Sequence, residues 1–151
     1  MKKNYILLSI LFLTHFVNAQ FPSNFIMTWE VGENPELGIS GLDITIPINS
    51  TPFWGNNNYG VDFGDGTSLT NQTGNVSHTY STAGTYTVTI WGFFYNISFD
   101  FDDQNNSNNN NNRKLKSIEQ WGTNNQWVWM RFDGCENLVI NATDAPILNS
   151  D

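Results

Sequence analysis

Basic, sulfur-containing and imidazole side chains are all scarce in this sequence. Over 151 residues, six Lys and Arg stand against fourteen Asp and Glu, which gives a formal net charge of −8. Proteins that bind nucleic acid or dock on anionic membranes present a basic face, so this balance argues against both classes of partner. The single cysteine, Cys135, excludes an internal disulfide, and the fold must therefore depend on packing alone.

Charged residues of either sign are few, whereas aromatic residues are many. Charged side chains make up 13% of the chain, about half of the roughly 25% that is usual in soluble domains. Aromatic side chains make up 15%, so bulky rings must supply much of the core. The abundance of Gly, Asn, Thr and Ser favours strands and turns over helices. The length suits one domain, or one small domain plus a fragment.

The N-terminus has the pattern of a secretory signal peptide. Lys2 and Lys3 make it positive, residues 5–16 are mostly apolar, and Val17-Asn-Ala19 supplies small residues before a cleavage point. These features predict a signal peptide at residues 1–19, cut after Ala19, and a secreted or cell-surface protein with no membrane insertion after its removal. A transmembrane anchor is disfavoured, because the apolar stretch is short for about 30 Å of hydrocarbon.

Alternation of apolar and polar residues predicts a β-sandwich over residues 20–100. Every second residue is apolar at 25–31, 42–48, 59–63 and 85–90. Pro47 cannot donate to a sheet ladder, so its strand lies at an edge or ends there. Gly64-Asp-Gly66 between two such runs predicts a tight hairpin turn. Short strands separated by polar turns indicate an all-β, antiparallel sandwich.

Three blocks of the sequence resemble the PKD domain family. They are Val61-Asp-Phe-Gly-Asp-Gly-Thr67, His78-Thr-Tyr80 and Ala83-Gly-Thr-Tyr-Thr-Val-Thr-Ile90, in that order. Val61 stands where many members have Trp. The resemblance covers roughly residues 24–99 and implies an immunoglobulin-like sandwich that acts as an extracellular spacer or interaction module. It implies a structural role for the motif residues Asp62, Gly64, Asp65, Gly66, His78, Tyr80, Gly84 and Tyr86.

Few side chains point to catalysis or metal binding. Asp62 and Asp65 suit a Ca²⁺ corner, but an Asp in such a turn more often accepts hydrogen bonds from nearby backbone N–H groups. His78 is the only histidine after residue 19, so a structural hydrogen bond is favoured over a ligand or a base. The acidic residues at 100–103 suit loose Ca²⁺ binding, and a solvated loop is favoured over it. The sequence predicts neither an enzyme nor a cofactor.

An Asn-rich tract occupies residues 101–113. The run from Asn105 to Asn112 is interrupted only by Ser107. Such a run has nothing to bury and cannot offset the entropy lost on ordering. We therefore expect either a flexible linker between modules or an expanded surface loop.

The C-terminal segment, residues 114–151, carries a second resemblance. Leu115-Lys-Ser-Ile-Glu-Gln-Trp-Gly122, followed by Phe132-Asp-Gly-Cys-Glu-Asn-Leu138, resembles the start of a BspA-like leucine-rich repeat region in bacterial surface proteins. The resemblance implies that Phe132, Cys135, Leu138 and Ile140 face a solenoid core, so that Cys135 is a buried apolar residue rather than a reactive thiol. Solenoids usually need about three repeats. The segment is therefore either an incomplete repeat array or a cap folded back onto the sandwich.

Two functions remain open from the sequence. The first is a non-catalytic secreted or cell-surface interaction or adhesion module, a PKD-like spacer that leads into a leucine-rich repeat region. The alternative is a carbohydrate-binding accessory module of an extracellular polysaccharide- or protein-degrading system. Its candidate ligand contacts are Trp121, Trp127 and Trp129, because exposed aromatic patches often mark binding sites. Either function implies an extracellular protein or glycan as the partner.

Overall fold

The protein is almost entirely β-structure in the computed structural model, which describes residues 23–50, 56–99, 110–123 and 127–148. The elements, in chain order, are β1 (Phe25–Val31), β2 (Asp43–Ile46), β3 (Asn58–Asp62), β4 (Ser68–Gln72), β5 (Val76–Thr79), β6 (Gly84–Phe93), β7 (Asn96–Phe99), α1 (Asn111–Lys114), β8 (Leu115–Gln120), β9 (Trp129–Phe132) and β10 (Val139–Ile140). The predicted signal peptide and the acidic residues at 100–103 lie outside the described residues. Within them, no helix is long and apolar enough to cross a membrane.

Three sheets enclose one apolar core. Six strands form a sheet in the order β10-β8-β1-β6-β3-β4, and the remaining strands form two pairs, β2-β5 and β7-β9. Trp29 of β1, Ile44 of β2 and Phe99 of β7 belong to the same cluster of buried side chains, so both pairs pack against the large sheet. The predicted all-β sandwich is confirmed, but it is not wholly antiparallel as predicted, because β7 pairs parallel with β9 and β8 pairs parallel with β10.

The period-2 pattern places most of the core residues where the sequence predicts them. In β1 the side chains of Phe25, Met27, Trp29 and Val31 are buried and the intervening ones are half-buried. Strand β2 ends at Ile46, directly before the proline that was expected to end it or to mark an edge. Leu42 and Tyr86 differ from the other alternating positions because they are only half-buried. The ring of Tyr86 stacks on that of Tyr80 with centroids 3.8 Å apart, at the margin of the core.

The outer edge of β2 is closed by polar groups from distant segments. The N–H of Thr45 donates to Asn111 Oδ1 at 2.8 Å, and Asn111 Nδ2 donates back to the carbonyl of Thr45 at 2.9 Å. Lys114 Nζ donates at 2.6 Å to the carbonyl of Asp43, which lies two residues before Thr45 in β2. Just beyond the strand, an N–H of β7 donates to the carbonyl of Pro47 at 2.9 Å. These bonds satisfy β2 on the side that faces away from β5.

The tract at residues 101–113, expected to be a flexible linker or an expanded surface loop, has regular structure at its C-terminal end. Residues 111–114 form α1, and the side chain of Asn110 donates to the carbonyl of Gly38 at 2.7 Å. Lys114, directly after the tract, is fully buried, and this burial lowers the pKa of its amine. An asparagine-rich sequence therefore gains order here because its amides pair with backbone groups that would otherwise lack partners.

The C-terminal segment is part of the large sheet rather than a unit beside it. Strand β8 pairs antiparallel with β1, with Ile118 opposite Met27 and Leu115 opposite Trp29. Both β8 side chains are fully buried. The sequence analysis ended the sandwich at residue 100 and separated residues 114–151 from it. The structure differs because β8 pairs with the edge of β1 that faces away from β6, and it adds Leu115 and Ile118 to the same core.

After β8 the chain winds back over itself in two successive turns. Strand β10 lies parallel to β8, with Val139 opposite Ser117 and Ile140 opposite Ile118, 22 positions further along the chain. On the other layer β9 lies parallel to β7, and Leu148 forms a parallel bridge with Trp127, 21 positions earlier. We call residues 115–136 the first coil and residues 137–148 the second coil.

Candidate functional site

In the turn between β3 and β4, two aspartate side chains accept hydrogen bonds from backbone N–H groups two residues further along the chain. Asp62 Oδ1 accepts a hydrogen bond from the N–H of Gly64 at 2.8 Å. Asp65 Oδ1 accepts from the N–H of Thr67 at 3.0 Å and from its hydroxyl at 2.6 Å. Gly64 has φ +78°, and a Cβ at this position would overlap the carbonyl of Thr87. The turn therefore needs glycine for both its conformation and its close contact with β6.

His78 joins this turn to the core. Its Nε2 lies 2.8 Å from Asp65 Oδ2, and its ring stacks on Phe63 with centroids 4.2 Å apart. The edge of the ring meets Tyr80 at 4.6 Å, and the Tyr80 hydroxyl donates to the carbonyl of Phe63 at 3.0 Å. The imidazole thus packs between β5 and the turn and contacts both.

The electrostatics of the turn agree with that structural role. Hydrogen bonds from Thr67 and the neighbouring His78 lower the pKa of Asp65 to about 2, because they stabilise the charged carboxylate. Burial raises the pKa of Tyr80 well above its usual range, so its hydroxyl stays a donor. In the part of the chain that the structure describes, no three His, Cys, Asp or Glu side chains are grouped to hold a metal ion. The oxygens suggested for a Ca²⁺ corner accept hydrogen bonds from backbone N–H groups instead.

The structure contradicts two of the three candidate ligand contacts. Trp127 is fully buried and Trp121 is 8% exposed. Their rings form an aromatic cluster with Phe25 and Phe94, with centroid distances between 5.0 and 6.1 Å. A ring that fills the core has no free face for a sugar, so these two residues act in packing. Trp129, in β9, is half-buried.

The residues of the second resemblance divide in the same way between core and surface. Phe132, Cys135 and Leu138 are half-buried and pack against the core cluster. Burial raises the pKa of the Cys135 thiol to about 12, with a further contribution from the charge of Asp133, and a raised pKa favours the protonated thiol over the nucleophilic thiolate. Ile140 differs from the expectation, since its side chain is 52% exposed.

The sequence analysis missed an aromatic surface on the outer face of the large sheet. The indole of Trp91 lies directly on Gly60, the opposite residue in β3, where a Cβ would overlap the ring. Phe93, two residues along the same face of β6, is 57% exposed. The sequence pattern could have indicated this surface, because Trp91 and Phe93 continue the alternating, outward-facing positions of Thr85, Thr87 and Thr89. We call Gly60, Trp91 and Phe93 the outer aromatic face.

Part of the chain matches a known family of domains. Residues 48–91 match the family model of the PKD domain. The matched stretch contains β3 to β5, most of β6, the turn with Asp62 and Asp65, and His78, and it confirms the PKD-like part of the sequence interpretation. PKD domains are commonly extracellular adhesion or spacer modules and are generally non-catalytic.

The match ends before the C-terminal strands. It leaves β7 to β10 outside, and no family model supports a BspA-like leucine-rich repeat there. No curated protein and no solved structure gives a significant match to the chain.

Proposed function

We propose that this chain is a non-catalytic secreted or cell-surface interaction module, in which a PKD-like sandwich leads into a repeat region. The observation that carries the proposal is the use made of the polar motif residues. Asp62, Asp65 and His78 bind the turn and the core of the sandwich, within a stretch that matches the PKD domain. A catalytic site needs acid, base or nucleophilic groups turned toward a substrate. These groups are instead engaged in holding the fold.

The repeat part of the proposal is supported by the two coils. In solenoid proteins, units of about 20–45 residues stack so that each contacts its neighbours. The pairing of Ile118 with Ile140 repeats after 22 residues, and that of Trp127 with Leu148 after 21, on two different layers. Offsets of 22 and 21 residues on the two layers are the geometry of a stacked coil. This geometry and the resemblance at residues 132–138 support the same proposal independently.

Export is the third part of the proposal. It is supported by the signal-peptide pattern at residues 1–19 and by the usual extracellular setting of PKD domains. The mature surface is strongly acidic, because cleavage after Ala19 would remove Lys2 and Lys3 and no acidic residue. Such a surface favours partners that are neutral or basic.

A second candidate function is carbohydrate binding as an accessory module, and the outer aromatic face favours it. The indole of Trp91 contacts Gly60, and Phe93 follows two residues later in β6 with 57% of its side chain exposed. Aromatic rings on the outer face of a sheet suit stacking on sugar rings. This candidate now depends on Trp91 and Phe93, rather than on the buried Trp121 and Trp127.

One binding experiment separates the two candidates. The full chain is incubated with insoluble cellulose and chitin, and separately with surfaces coated with collagen and fibronectin. The same assay is run on a Trp91→Ala, Phe93→Ala double variant and on Leu69→Ala, a control at an exposed apolar residue elsewhere on the sheet. For the adhesion module we expect retention on a protein surface that the double variant keeps.

Retention on a polysaccharide that is lost in the double variant and kept in the Leu69→Ala control would instead support the carbohydrate candidate. Binding to none of the four surfaces would contradict both candidates. Release of soluble sugar or of peptide fragments by the purified chain would overturn the non-catalytic part of the proposal.

A further inference from the structure

The exposed apolar side chains of the molecule are concentrated at one place. Six large apolar residues are exposed in the described ranges, and four of them lie between residues 139 and 148. These four are Val139, Ile140, Ile147 and Leu148, each at least 50% exposed. They belong to β10 and to the end of the second coil. We call this group the C-terminal edge.

The same positions are covered one coil earlier. Ile140 pairs with Ile118, which is fully buried, and Leu148 pairs with Trp127, which is also fully buried. Paired residues of neighbouring parallel strands point to the same face of their sheet. Ile140 and Leu148 therefore extend the two inner faces of the core by one level, to a place where no described residue lies over them.

The contacts that join the first coil to the second are specific, and they link residues 21 to 23 positions apart. Asp144 accepts hydrogen bonds from the N–H groups of Trp121 and Gly122, at 3.0 and 2.7 Å. Asn141 donates through its side chain to Glu119 at 2.9 Å. In the pairs Gly122–Asp144 and Glu119–Asn141 the partners are 22 residues apart, as in β8 and β10. One coil thus recognises the next through a strand, a turn and two apolar layers.

The opposite edge of the large sheet lacks these features. Strand β4 consists of Ser68, Leu69, Thr70, Asn71 and Gln72, and only one of these side chains is apolar. Polar edge strands avoid pairing with other chains, whereas an apolar edge invites it unless it is covered. The two edges of the large sheet therefore differ in polarity, and of these two only the C-terminal edge has the apolar surface that favours pairing with a further strand.

We propose that the C-terminal edge seats a further β-coil of about 22 residues, carried on the same polypeptide. Its first strand pairs parallel to β10, and its second layer covers Leu148. This inference rests on the repeat part of the proposed function and deepens it by defining the surface and the register. A second copy related by a two-fold axis fits less well, since it would meet β10 either antiparallel or with its inner face reversed. Neither arrangement continues the stack.

The test adds one coil in register. Residues 130–151 are duplicated directly after Asp151, so that the added copy follows at the 22-residue spacing of the existing coils. Hydrogen exchange is measured on the full chain and on the extended chain. We expect exchange at residues 139–148 to slow by about tenfold or more in the extended chain, because an edge strand becomes an inner strand. Exchange in β1 and β6 verifies that the sandwich is folded in both.

A matched control shows whether the apolar layers cause the effect. It is the same extended chain with V139D and I140D placed in the added copy only, and there we expect residues 139–148 to exchange as in the unextended chain. Equal exchange in all three proteins would overturn the proposal. A dimer of the unextended chain in light scattering, with slowed exchange at 139–148, would identify a second copy as the occupant and overturn it too. The surface-binding assay is separate, so its failure would contradict the proposed function without affecting this result.

Discussion

Ile118 and Ile140 form a matched pair for measuring how far the C-terminal segment belongs to the sandwich. They are the same residue type at opposing positions of neighbouring strands. Ile118 is fully buried next to β1, and Ile140 is 52% exposed at the edge. Substitution of each by alanine removes the same atoms, so any difference in stability reports the environment.

The magnitude follows from the burial. Truncation to alanine removes three carbons, and at about 0.8 kcal/mol for each buried methylene the loss is roughly 2.4 kcal/mol before any cavity is counted. The cavity left at Ile118 brings the expected cost of Ile118→Ala to about 2–5 kcal/mol. For Ile140→Ala we expect about 1 kcal/mol or less, as for other exposed sites.

Urea unfolding followed by tryptophan fluorescence provides the assay. Trp29 lies in the sandwich and Trp127 in the first coil, and both are fully buried, so the signal reports both regions. We expect one transition for each protein, with a clearly lower midpoint for Ile118→Ala and an unchanged slope. Equal, small effects of the two substitutions would refute the reasoning that β8 is an integral strand. Two separate transitions would show that the coils unfold independently of the sandwich.

Four further predictions follow from particular contacts. The pKa of Asp65 is lowered to about 2 from an ordinary 3.8, so the stabilising effect of its carboxylate is present above about pH 4 and is lost as the pH falls toward 2. The difference in melting temperature between the natural chain and Asp65→Asn should therefore shrink between pH 4 and pH 2. A difference that stays constant over this range would contradict the prediction. Gly60→Ala should displace the indole of Trp91 and cost about 1–3 kcal/mol by overpacking, seen as a lower melting temperature and altered fluorescence. Cys135 should not react with a disulfide reagent at pH 8 until urea unfolds the chain, since its thiol pKa is raised to about 12, and rapid labelling of the folded protein would be the opposite result. Intact mass of the exported protein should show the loss of residues 1–19, whereas a product that retains Met1 would exclude cleavage.

Local patterns in the sequence predict the sandwich well, because they reflect local physics. The alternation in β1 and β6 comes from side chains pointing to opposite faces of a strand, and the turn at Asp62 and Asp65 uses bonds between neighbouring residues. Tyr86 departs from the pattern because a strand can extend past the edge of the core that it helps to build. Alternation indicates which face a residue occupies, but not whether that face is covered.

The position of the C-terminal segment could not be read from the sequence, because it depends on a contact between distant parts of the chain. Strand β8 pairs with β1, and their opposing residues Ile118 and Met27 are about ninety positions apart. The sequence motif at residues 132–138 indicates a local bend and contains no information about which strand β8 pairs with. The prediction that Trp121 and Trp127 contact a ligand was wrong for the same reason. Trp121 and Trp127 have the composition expected of a binding surface, and the three-dimensional packing decides that they face Phe25.

The polar closure of β2 has a consequence for how the protein resists misassembly. An exposed strand edge can template cross-β growth, and a side-chain amide that occupies both backbone groups of Thr45 blocks that addition. The block depends on Asn111 and Lys114, which belong to a one-turn helix rather than to a strand. Release of this short helix would therefore uncover a ready-made pairing edge while the core is still folded. Aggregation is expected to begin from such a nearly native state.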